Sequence, residues 1–143
     1  MGIVMTTPPS QIDQYLDDQI ERRMRALINA FEYVGVQCQN EAKTGGTYKD
    51  RTGHLRSSVG YIVIKDGVVI SGGEFDNNKG GSEGSSVIQK AISKNSKGIV
   101  LIVVAGMNYA ASVEARNLNV LTSAELLADQ MVPILMKQLG FTL

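Results

Sequence analysis

The chain has 143 residues, 43% of them apolar and 20% charged, ordinary proportions for one soluble globular domain with a real core. Lysine plus arginine and aspartate plus glutamate number fourteen each, so no net field draws the chain to nucleic acid or to an anionic membrane. Trp is absent and Phe occurs three times, which leaves an aliphatic core, and the single Cys38 excludes an internal disulfide or a cysteine-based zinc cluster.

Residues 1–9 read as an N-terminal arm without the basic and apolar regions of a secretory signal. Pro8-Pro9 stops any preceding structure, and Ser10 with Asp13 three residues on reads as a capping-box-like start. Apolar residues then recur at Ile12, Leu16, Ile20, Met24, Leu27, Phe31, Val34 and Cys38, a stripe expected to be buried. Asp13, Asp17, Asp18 and Glu21 precede Arg22, Arg23 and Arg25, the order a helix dipole favours. Ser10 to Lys43 as helix spans roughly 50 Å at ~1.5 Å per residue. A globule of this length has a radius of gyration near ~14–15 Å. The helix therefore either bends, with Gly35 the place, or projects and needs a partner, which favours oligomerisation.

Gly45-Gly46 ends this helix, and a junction follows in Asp50-Arg51-Thr52-Gly53-His54-Leu55-Arg56-Ser57-Ser58-Val59, read as a loop entering a strand. Val59 to Ile64 and Val68-Val69-Ile70 flank Asp66-Gly67, a strong hairpin signal. Gly72-Gly73 ends or bulges the second strand. Residues 76–86 are polar and glycine-rich and read as a flexible loop. Ser86 then caps a short helix from Val87 to about Ser96, closed by Lys97-Gly98. Ile99 to Ala105 is apolar on both faces, hence expected to be central in its sheet, and is far too short to span a bilayer. Thr122-Ser123-Ala124-Glu125 repeats the capping-box signature and opens a last helix, with Pro133 inside it and Gly140 as its stop. The expected class is α+β: long N-terminal and C-terminal helices packed on a small antiparallel-dominated sheet, with helices on one face, in a single domain 1–143.

Catalytic constellations are sparse. His54 is the only histidine, so histidine metal clusters and the usual serine triad lack parts; it reads as an exposed loop residue. Cys38 sits on the apolar stripe, where a thiol packs as a small hydrophobe. Asp17, Asp18 and Glu21 read as a solvated helix face. The glycines at 80, 81 and 84 lack the lysine and the strand-to-helix setting of a phosphate loop. Lys43, Lys49, Arg51, His54 and Arg56 form a local basic patch that Asp50 dilutes, with Tyr48 as its one aromatic. A toxin-like ribonuclease using His54 and Arg56 is the alternative reading from another class. No cofactor or metal is expected.

Two windows carry a family resemblance. Arg51, Thr52, Gly53, Leu55, Arg56 and Ser57 lie at a Thr-Gly-x-Leu-Arg-x-Ser junction after a long helix, and Tyr109, Ala110, Val113 and Glu114 follow a later strand. In this order the chain resembles the tail-completion (head–tail joining) proteins of long-tailed double-stranded DNA phages. Ala115-Arg116-Asn117-Leu118-Asn119 departs from the aromatic, glycine, threonine and proline-bearing turn of many relatives. The resemblance implies a non-enzymatic virion protein of the neck, made in the bacterial cytoplasm. It implies a homo-oligomeric ring meeting connector proteins on one face and tail-tube or terminator proteins on the other, without membrane or sequence-specific nucleic-acid contacts. Tail-terminator and head-closure roles are alternatives within this class. The implied interface residues are Arg51, Thr52, Gly53, Leu55, Arg56, Ser57, Tyr109 and Glu114, with Glu114 as a polar anchor for Arg51 or Arg56.

Overall fold

Seven elements follow one another in the computed structural model, which describes residues 2, 8–45, 53–107, 110 and 119–141. They are α1 (Pro9–Thr44), α2 (His54–Ser57), β1 (Val59–Lys65), β2 (Val68–Gly72), α3 (Lys79–Lys94), β3 (Ile99–Ala105) and α4 (Thr122–Gln138). The expected α+β class holds, with long first and last helices and a three-stranded antiparallel sheet in the order β2-β1-β3.

The hairpin forms where Asp66-Gly67 placed it. Both turn residues have positive φ, 51° and 79°, the conformation that matches a two-residue turn to the strand twist. Val63 pairs with Ser71 and Ile64 with Val69, so Ile70 is the extra residue of a bulge. β1 pairs with β3 over seven residues, from Val59↔Ala105 to Lys65↔Ile99.

β1, not β3, is the central strand. The apolar character of β3 on both faces has another cause. Leu101, Val103 and Ala105 pack with Val34, Cys38, Ala42 and Ala124 of α1 and α4. Val100, Ile102 and Val104 pack with Ile62, Ile64 and Ile88 on the α3 side. Helices therefore cover both faces of the sheet rather than one, and a strand can be apolar on both sides while its edge is open.

The largest correction concerns residues 76–86. Helix α3 starts at Lys79, and Ser86 lies inside it; the cap is Asn78, whose side chain accepts from Gly81 N at 2.9 Å. The glycines there serve close approach. A Cβ on Gly80 would meet the backbone of His54, and one on Gly84 would meet Phe75 and Ser58 O at 2.6 Å. Composition alone reads such glycines as flexibility; here they let α3 lie against α2 and the start of β1.

Helix α1 begins one residue before Ser10, with Pro8 as its N-cap and no side-chain cap. Proline suits this first turn because its missing N–H would have no helical partner there. Of the apolar stripe, Leu27, Val34 and Cys38 are buried, while Leu16 is 51% and Ile20 60% exposed. Leu27 is the first buried residue of the helix, and Gly35 is the point where the Tyr61 ring packs against it, with Cγ 2.8 Å from a built Cβ. Thr122 does not cap α4; Asn119 accepts from Ser123 N at 3.0 Å and donates to Gly45 O at 3.0 Å, tying the end of α1 to the start of α4. Packing continues on both sides of Pro133, through Ala124 and Ala128 before it and Leu135 after it. Gly140, at φ 86°, ends the helix as expected, with Phe141 N bonded to Met136 O at 3.0 Å.

Candidate contact corner around helix α2

The described part of the junction holds a single helical turn, His54–Ser57, rather than an open loop. Gly53 takes φ 74°, the left-handed value its lack of a side chain allows, and Ser57 N then bonds Gly53 O at 3.0 Å. His54, expected in an exposed loop, is the first residue of this turn and half-buried.

Leu55 is 1% exposed and shares a cluster with Met107, Ala110 and Val120. Full burial of such a side chain contributes about 1.5–3 kcal/mol. The cluster brings together one described residue of each sequence window, Leu55 of the first and Ala110 of the second. Ser57 is buried too, and its hydroxyl accepts from Asn78 Nδ2 at 3.0 Å, which fastens α2 to the cap of α3.

Sequence reasoning passed over Ser58, the residue that does most to fix the corner. It is fully buried. Its hydroxyl donates to Leu55 O at 2.7 Å and accepts from Met107 N at 3.3 Å, and its carbonyl accepts from Gly106 N at 3.1 Å. One side chain thus closes the α2 turn and holds the end of β3 against it. Counted from Thr52, the Thr-Gly-x-Leu-Arg-x-Ser pattern closes on Ser58, so the signal is there, one residue beyond the Ser57 read from it.

Of the candidate interface residues, Leu55 and Ser57 serve the subunit interior, Gly53 is half-buried and Arg56 is exposed. Arg51, Thr52, Tyr109 and Glu114 lie outside the described residues, and so does any pairing of Glu114 with Arg51 or Arg56. Lys49 of the basic patch lies outside them as well.

Elsewhere, a surface cleft of about 540 Å³ opens between α1 and the segment after β2, with Glu32, Lys43, Tyr61, Glu74, Phe75 and Asp76 on its walls. It brings together neither histidine nor cysteine. Cys38 is fully buried, and its thiol donates to Ala124 O at 3.4 Å. Burial pushes its pKa above the ordinary value of 9.0, and the nearby Glu41 carboxylate acts in the same direction, which keeps the thiol protonated and inert. Among the described residues no group of three His, Cys, Asp or Glu is placed to hold a metal ion, and no helix is long and apolar enough to cross a membrane. Comparisons with protein-family models, curated proteins and solved structures found no match to this chain.

Proposed function

We propose that this chain is a virion structural protein that joins head and tail during the assembly of a long-tailed phage. The observation that carries the reading is the shared packing of Leu55 and Ala110. One residue from each of the two windows that resemble the tail-completion family, far apart in sequence, packs in the same cluster. Subunits close a ring whose two faces meet connector and tail-tube or terminator proteins. A ring needs two different surfaces on each subunit. Exposed apolar residues on β2 (Val68, Val69, Ile70) and on α4 (Leu126, Ile134) offer them. The work is done by complementary surfaces, and the corner is rigid because Ser58 and Asn78 tie three elements to it.

Complementation of a phage lacking the protein tests the surface. Arg56→Ala removes an exposed side chain of α2 and leaves the buried Leu55 and Ser58 unsubstituted. If Arg56 is a central contact, its loss costs about 2 kcal/mol at each subunit interface and the yield of joined particles falls steeply. His54→Ala leaves that yield near wild type. An RNA-cleaving activity of the pure protein that disappears in His54→Ala would instead favour the ribonuclease reading.

A further inference from the structure

Among the described residues, strand β3 carries an open edge, and its sequence does nothing to protect it. It pairs with β1 on one side, and no strand among the described residues pairs with the other. All seven residues, Ile-Val-Leu-Ile-Val-Val-Ala, are apolar, with no proline, no charge and, in its pairing with β1, no register shift. Natural edges are normally blunted by one of these devices, because an open row of N–H and C=O groups is a template for another strand. β2 at the opposite edge has such a device, being shorter and bulged. β3 also remains partly exposed at every position but Val104, although helices cover both of its faces.

We propose that the free edge of β3 pairs antiparallel with β3 of a second copy of this chain, about a two-fold axis near Ile102. Three features select this occupant. First, a two-fold at Ile102 sets Val100 opposite Val104 and Leu101 opposite Val103, so the central cross-strand pairs are aliphatic, the kind that stabilises a ladder. A polar or charged peptide would leave side chains stranded between two apolar layers. Second, the pairing preserves which residues face which side. Leu101 and Val103 of both copies stay on the α1/α4 side, and Val100, Ile102 and Val104 stay on the α3 side, so the three layers continue across the axis. Third, a mainly apolar groove of about 280 Å³ lies beside Val103, walled by Cys38, Leu121, Ala124 and Ala128, with Glu125 the one charged residue in its lining. In the pair, the partner's Leu101 comes next to Val103 on that side and fills the groove. At about 3.3 Å per residue the shared ladder is roughly 23 Å long. Such a contact closes on itself, so it describes the free protein and does not rest on the joining role.

Two measurements on the purified full chain decide it. Sedimentation over a range of concentrations should show a reversible dimer. Leu101→Ala, checked for folding by its cooperative unfolding transition, should weaken that dimer at least ~10-fold, because the side chain is lost from both grooves. Amide exchange supplies the reading that needs no mutation. In a monomer, only the β3 amides that face β1 are protected, in alternation; in the pair, protection extends along the whole strand and rises with protein concentration. A monomer at every concentration, with alternating β3 protection, overturns the proposal. So does a dimer in which the alternation persists, which would place the contact elsewhere, such as on the exposed half of α1. Uniform protection in a head-to-tail oligomer, with β3 against β2 of its neighbour, overturns the two-fold pairing. None of these outcomes bears on head–tail joining, which is read from virions.

Discussion

Replacing Gly80 by alanine separates two meanings of a glycine-rich segment, because one expects little change in stability and the other a clear loss. Were 76–86 a flexible loop, alanine would restrict the folded and the unfolded chain alike and change stability by less than about 0.5 kcal/mol. In the structure Gly80 is buried in the first turn of α3, and a built Cβ would lie 2.7 Å from the carbonyl carbon and 2.8 Å from the Cα of His54. The neighbour is backbone, and it cannot step aside. Ser58 N bonds His54 O at 2.9 Å, and Asn78 holds Ser57 at 3.0 Å. Overpacking of this kind costs about 1–3 kcal/mol, and improved helix propensity returns up to ~1 kcal/mol. The net expectation is a loss of about 1–2 kcal/mol. With a urea m-value of ~2 kcal/mol/M, the unfolding midpoint falls by roughly 0.5–1 M at unchanged slope. Ser82→Ala, exposed on the same helix, is the control and should stay within about 0.5 kcal/mol. A Gly80→Ala midpoint equal to or above wild type would refute the close-packing account.

Two further predictions concern the scaffold around the corner. Asn119→Ala removes the acceptor for Ser123 N and the donor to Gly45 O, and chemical denaturation should show a loss of about 1–2 kcal/mol. Cys38 should make stability pH-dependent on the alkaline side. Its folded pKa is raised, so the folded state holds the proton longer than the unfolded state. Its contribution is whole below the ordinary value near 9.0 and is lost as pH rises from there toward the folded value. Unfolding of Cys38→Ala compared with wild type across that window should lack the decline.

Much of the fold was legible because periodicity reports burial directly. The long first helix, the Asp66-Gly67 hairpin, the β3 strand and the Gly140 stop each rest on local chemistry that tertiary packing did not override. The misreadings share a cause. Composition reads the glycines at 80, 81 and 84 as freedom, whereas they mark close approach to neighbouring backbone, a difference that only the neighbouring chain segment decides. An apolar run such as β3 reads as central because burial of two faces and burial of two edges leave the same pattern. Caps were assigned to Ser10, Ser86 and Thr122 from spacing, whereas Pro8, Asn78 and Asn119 occupy or serve those helix starts. In the candidate corner, Leu55 and Ser57, expected at an interface, are internal, and Ser58, which fixes the geometry, stands at the closing serine of the Thr-Gly-x-Leu-Arg-x-Ser pattern.

The central claim is that the protein joins finished heads to finished tails, and electron microscopy of lysates from a phage lacking it tests that most directly. The account predicts DNA-filled heads and complete tails lying apart, with joining restored when purified protein is added. Intact joined virions in its absence would contradict it.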